Sequence, residues 1–288
     1  MNTASTPEPL RFTLHINVLH HLGMKLYASS PSVLAELVAN AWDADAKQVE
    51  IVVADDPAEM TVLDNGHGMS RGDLQSRFLS VGYNRRDFTQ STSSQSGARK
   101  VMGRKGIGKL SMFSIASKIE VHTQAAGDKP IRFTIDVTEL EKIAKENGDY
   151  FPSEDPNPPE LPGGQGTKVT LSGLNRSVNR TQTFLVPRLA RRFGIIGPAN
   201  NFVVKVNGTE VSRKSAGVHD HLQFFWYFDD ESRTEAVELK APVASLPSLD
   251  GAQAFQKLPS TFDVEGKAMT VRGSVSYTHL TLPTKLEV

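Results

Sequence analysis

A chain of 288 residues holds about two domains at roughly 150 residues each. Its 39% hydrophobic and 22% charged residues suffice for a packed core, which excludes a disordered tail or a fibre. Lys+Arg 32 balance Asp+Glu 32, so no basic excess argues for nucleic acid, and Cys 0 removes disulfides, thiolate metal sites and a cysteine nucleophile. No apolar run nears the roughly 18 residues that span a bilayer. The start MNTASTPEPL lacks the basic and apolar stretches of a secretory signal. A cytoplasmic location with no membrane partner is therefore expected.

Residues 1–20 read as an N-terminal arm with one alternating stretch, RFTLHINVL. Its His15, together with His20 and His21, fits neither a zinc spacing nor one helical face. In SSPSVLAELVANAWDADA, Ser30 suits an N-cap and Pro31 the first turn. Val33, Leu34, Leu37, Val38, Ala41 and Trp42 recur at helical spacing, which predicts a helix over 31–43. Strands follow at VEIVV and MTVLD, the second broken by the glycines of DNGHGM. Ser70 can cap a helix through RGDLQSRFLS. The polar stretch from Gly82 to Arg104 reads as a long mobile loop. A helix is expected from Gly108 through KLSMFSIA, then strands KIEVHTQ and IRFTIDV. A Pro- and Gly-rich insertion, ENGDYFPSEDPNPPELPGGQG, separates these from strand TKVTLSGL, helix TFLVPRLARRF and a hairpin turning at Asn207-Gly208. Beyond residue 213 only a few short segments are legible. The end, SYTHLTLPTKLEV, breaks the preceding pattern and reads as a non-native tail over 275–288 on a natural chain that is longer.

Three clusters carry chemistry. Glu36, Asn40 and Asp43 share one face of the first helix, opposite its apolar side. An amide oxygen there can ligate Mg2+ and a carboxylate can orient water; a solvated polar face is the plain alternative. Asp64 ends a strand before Gly66 and Gly68. It can accept a hydrogen bond from an amine such as adenine's, or simply cap an Asn-Gly turn. In GRKGIGKLS, Gly103, Gly106 and Gly108 precede a helix start, where free amides and the helix dipole favour phosphate. Gly103 to Lys109 also spells GxxxxGK. However, Leu110 stands where a P-loop needs Ser or Thr, no apolar strand precedes Gly103, and no carboxylate-tipped strand follows at a suitable distance.

In this order, ELVANAWDADA, LDNGHGM and GRKGIGK, with the later Gly166-Thr167 pair, resemble the GHKL ATPases. They are closest to the MORC-like, MutL-like and heat-shock-like bacterial ATP-binding proteins. The resemblance covers about residues 15–212. It implies an α+β, two-layer Bergerat fold: a mixed sheet with helices on one face, over 21–212, with an ATP lid at about 82–105. The start of a second, transducer-like α/β domain would fill 213–274. The implied cofactors are ATP and Mg2+. Glu36 is the implied general base and Asn40 the Mg2+ ligand, with Asp43 supporting that network. Asp64 would read adenine in a pocket shaped by Gly66, Gly68 and Met69, with a hydroxyl from Thr167. Gly103, Gly106, Ile107 and Gly108 would cradle phosphates. Arg85 and Lys109 are candidate phosphate contacts, although Lys109 suits a solvent-facing position equally. The family implies slow hydrolysis, ATP-dependent homodimers in which residues 1–20 cross to the partner, and DNA or a client protein as the object. A non-catalytic nucleotide-binding module or a histidine-kinase-like domain is the alternative.

Overall fold

The first helix, α1 (Ser30–Asp43), begins one residue earlier than expected. Ser29, extended at φ −122° and ψ 131°, is the N-cap. Its carbonyl accepts the Ser32 and Val33 amides at 3.0 and 3.3 Å, leaving Ser30 inside the helix and buried. Val33, Leu34, Leu37, Val38, Ala41 and Trp42 form the buried side, as their spacing requires. Past the C-cap Ala44 the chain turns out of the helix at Asp45, which has φ 59°. The Asp45 amide donates to Trp42 O at 3.1 Å and the Ala46 amide to Ala41 O at 3.0 Å, a Schellman stop with aspartate in the usual glycine place. The computed structural model describes residues 9–11, 29–54, 58–79, 93–103, 108–146, 148–175, 180–217, 224–230, 233–234, 255–264, 267–271 and 274–277.

The strands are β1 (Gln48–Ala54), β2 (Glu59–Asp64), β3 (Ala116–Gln124), β4 (Ile131–Asp136), β5 (Ser153–Glu154), β6 (Gly166–Leu174), β7 (Val203–Val206) and β8 (Thr209–Glu210). They form one sheet in the order β5-β4-β3-β6-β2-β1-β7-β8. The β1–β7 pair is parallel and the others antiparallel, so the sheet is mixed. Register places Ile51, Val62, Val169 and Val121 side by side across four strands, and all are buried. Their neighbours along each strand are polar or half-exposed, the pattern of a sheet covered on one face. That face carries α1, α2 (Val137–Lys145) and α3 (Gln182–Arg192). The result is the expected two-layer α+β arrangement.

Several local expectations shift. Strand IRFTIDV stops at Asp136, whose carboxylate accepts the Thr138 and Glu139 amides and starts α2. Asp136 with Glu139 three residues on is the helix-start signal that marks it. The helix expected from Gly108 is a tight 3-10 helix, Gly108–Ser114, because strand β3 already begins at Ala116. The Ser70 cap holds, but its helix is a short α segment, Arg71–Asp73, followed by a π turn, Leu74–Phe78. The Pro-rich insertion is pinned to β3: Gln124 Oε1 accepts the Leu161 amide at 3.0 Å and the His122 ring meets Pro159 O at 2.9 Å. Within the arm, Leu10 is buried, and its amide donates at 2.8 Å to Glu154, which Arg71 holds at 2.9 Å. Apart from Pro9 and Arg11, the rest of residues 1–20 lies outside the described residues, as do His15, His20 and His21.

The chain divides into two compact units, Met1–Ser212 and Arg213–Val288. In the second, β9 (Phe224–Tyr227) pairs in parallel with β10 (Phe255–Lys257) and antiparallel with β13 (Ser274–Tyr277), while β11 (Thr261–Val264) and β12 (Lys267–Thr270) form a hairpin. The stretch expected as a non-native tail therefore begins inside β13, and residues 278–288 lie outside the described residues. No helix among the described residues is long and apolar enough to cross a membrane.

Candidate functional site

The tip of β2 and the end of α1 are held together by the turn between them. Asn65 Oδ1 accepts the Lys47 and Gln48 amides, each at 2.8 Å. The His67 amide donates to Ala44 O at 2.9 Å. A Cβ on Gly66 would stand 2.7 Å from that same carbonyl, so the turn closes onto the helix only with glycine there. Asn65 was not among the expected site residues, yet its side chain sets the approach of Asp64 to α1.

Asp64 Oδ1 accepts the Gly66 amide at 2.8 Å. The residue keeps some surface open, but protein atoms crowd its carboxyl, and burial pushes it up to about 6; the amides of Gly66 and Thr167 pull the other way. Thr167 sits directly opposite Asp64 in the β2–β6 ladder. Gly68 has φ +67°, and a Cβ there would lie 1.9 Å from Gln124 O. The Met69 amide donates to Thr123 Oγ1 at 3.0 Å. Asp64, Gly66, Gly68, Met69 and Thr167 are thus brought to one place.

Gly68→Ala is expected to destabilise the fold by about 2 kcal/mol or more, because the β3 backbone cannot yield. Gly97→Ala, at φ +75° with nothing within 4 Å, should cost only about 1 kcal/mol. Thermal melts of both variants check the contrast.

On α1, Glu36 is half-buried and Asn40 is exposed one turn later. Asp43 is engaged with backbone: its two oxygens accept the Met102 amide at 2.7 Å and the Gly103 amide at 2.9 Å. The structure therefore places Asp43 as the tether of the chain entering the glycine-rich segment. The same segment is tied down further back, contrary to the expected mobile loop. Asp45 accepts the Ser96 amide at 2.9 Å, and Trp42 Nε1 donates to Lys100 O at 3.0 Å. Arg99 lies 4.2 Å over the Trp42 ring and donates to Ala46 O at 2.6 Å. Residues 93–103 are in consequence a docked element. Nearby serines, Arg99 and the Ser96 amide hold the Asp45 carboxyl below its usual range against the opposing effect of burial.

Gly108 and Lys109 open the 3-10 helix, which packs against α1. Arg85, Gly106 and Ile107 lie outside the described residues. Among the described residues, no three His, Cys, Asp or Glu side chains converge as a metal cage. Thr123, buried in β3, also belongs to the site; only strand pairing reveals it, since nothing in KIEVHTQ singles it out.

Residues 27–160 match the family described as histidine kinase-, DNA gyrase B-, and HSP90-like ATPase. A protein of Herpetosiphon aurantiacus named "Putative type II restriction enzyme HgiDII" is 35% identical over 264 residues, covering 90% of this chain and 39% of that protein. The chaperone protein HtpG of Halorhodospira halophila is 31% identical over 148 residues, 44% of this chain and 23% of the chaperone. HtpG of Mesorhizobium japonicum is 27% identical over 194 residues, 60% of this chain and 29% of its own length. The chain thus spans about two fifths or less of these relatives. Motif order, the one-sided mixed sheet and these similarities together show that the chain carries a GHKL ATPase domain over residues 27–160.

Proposed function

We propose that this chain is the ATP-binding and ATP-hydrolysing module of a larger machine that acts on DNA. The carrying observation is the convergence of a strand-tip carboxylate, a glycine turn that admits no Cβ, and an acidic-amide helix, locked together through Asn65 and Ala44. Asp64 and Thr167 take the base, and Gly66 and Gly68 let it approach the backbone. Asp43 holds Met102 and Gly103 so that the glycine-rich segment starts beside α1. That segment's amides, with those of Gly106 and Gly108, take the phosphates.

Asn40 offers the neutral, hard oxygen that suits Mg2+, an ion that binds through one or two protein groups besides phosphates and water. When bound, Mg2+ neutralises phosphate charge. Glu36, one turn away on α1, aligns the attacking water and accepts its proton. Binding then closes the part of the expected lid that precedes the docked 93–103 stretch, residues 82–92, over the nucleotide and pairs two copies of the chain. DNA is favoured as the object because the relative that covers 90% of this chain carries a restriction enzyme's name.

The test uses the whole chain with Mg2+. ATP should bind in a calorimeter and release phosphate slowly, duplex DNA should change that rate, and a non-hydrolysable ATP analogue should shift the protein to a dimer on a sizing column. No heat with ATP removes the nucleotide reading; an unchanged rate removes DNA; a constant elution volume removes the paired state.

A further inference from the structure

Thr123 Oγ1 makes three polar contacts: 3.0 Å to the Gly166 carbonyl oxygen, 3.0 Å to Thr167 Oγ1 and 3.0 Å to the Met69 amide nitrogen. Each contact needs one proton between its two heavy atoms. The Gly166 carbonyl has none, so Thr123 must give it the only proton its hydroxyl carries. The Met69 amide supplies its own. The contact with Thr167 can then be filled only by the Thr167 hydroxyl proton. Thr123 is wholly buried, so water does not relax this count.

The Thr167 hydroxyl is therefore spent as a donor on Thr123 and keeps only lone pairs for a ligand. Opposite it in the β2–β6 ladder stands Asp64, whose ionised carboxylate also only accepts. Two acceptors side by side favour an exocyclic amine and repel a carbonyl oxygen. We propose that Thr123 is a specificity-determining residue: by fixing the hydrogen-bond polarity of Thr167, it makes the cleft take a 6-aminopurine and reject a 6-oxopurine. This rests on the reading of Asp64 and Thr167 as the base-binding pair.

The experiment titrates the whole chain with Mg-ATP and Mg-ITP at pH 8, for wild type and for Thr123→Val, Thr123→Ser and Thr167→Val. In Thr123→Val the Thr167 proton is free to turn toward a 6-oxo group. ITP should then bind more tightly, and the preference for ATP should fall about tenfold. A damaged pocket would weaken both nucleotides and could not strengthen one. Thr123→Ser keeps the proton count and should keep the preference. Thr167→Val removes the oriented acceptor without disturbing the core and should also lose preference. Equal weakening of both nucleotides in Thr123→Val, or an unchanged preference in Thr167→Val, overturns the assignment of Thr123 while the ATP site stands. Wild type that binds neither nucleotide overturns both.

Discussion

Asp64→Asn should abolish ATP binding and, above pH 6, make the protein more stable. The Gly66 and Thr167 amides both donate to this carboxylate, so asparagine keeps only part of that pattern and its new amide nitrogen sets N–H toward the base's amine. A loss of at least about a hundredfold in affinity is expected, since a buried donor faces a donor. The stability effect follows from burial, which raises the Asp64 carboxyl to about 6 from an ordinary 3.8. A raised carboxyl favours folding when protonated. That contribution is present at low pH, shrinks as pH rises from about 4 to 6, and is absent above 6, where the folded protein carries a crowded charge.

Asparagine has no such charge. It should gain about 2 kcal/mol over wild type at pH 8, after allowance for the open side of the residue, and almost nothing at pH 4. Melting curves without nucleotide at both pH values measure this as a rise of several degrees at pH 8 only. A variant equally or less stable at pH 8 contradicts the burial. The same protonation should weaken ATP binding by wild type below about pH 6.

Glu36→Ala should bind ATP about as well as wild type and release phosphate at least about a hundredfold more slowly, the usual loss when a general base is removed. The half-buried side chain stands on the polar side of α1, away from Leu34, Leu37 and Val38, so truncation removes no core packing. Separate measurements of binding and single-turnover hydrolysis distinguish the two effects. Hydrolysis at the wild-type rate would show that water is activated elsewhere; loss of binding would place Glu36 among the nucleotide contacts.

Much of the frame is written in short-range pattern. The apolar spacing of α1, the alternation of β1 and β2, the Asp-Gly turn and the Asn207-Gly208 hairpin are local matters of side-chain period and backbone freedom, so they can be read without a fold. Helix α2 was legible too, through Asp136 and Glu139, but the strand pattern before it ran across the boundary.

What the amino-acid order alone determined is the set of groups: a carboxylate and an amide on one helical face, a strand-end aspartate, and glycines where a Cβ cannot fit. Only the tertiary structure decided how they are used. Asp43 looks like one more site carboxylate in the sequence, yet the fold brings Met102 and Gly103 to it. Thr123 is an unremarked strand residue until register sets it opposite Thr167 and the β2 turn lays Met69 against it. Arg99 belongs to a polar stretch until Trp42 comes beneath it. These partners lie tens of residues apart, and a hydroxyl or carboxylate acquires its role from whichever backbone group the strand pairing delivers, which no local period encodes.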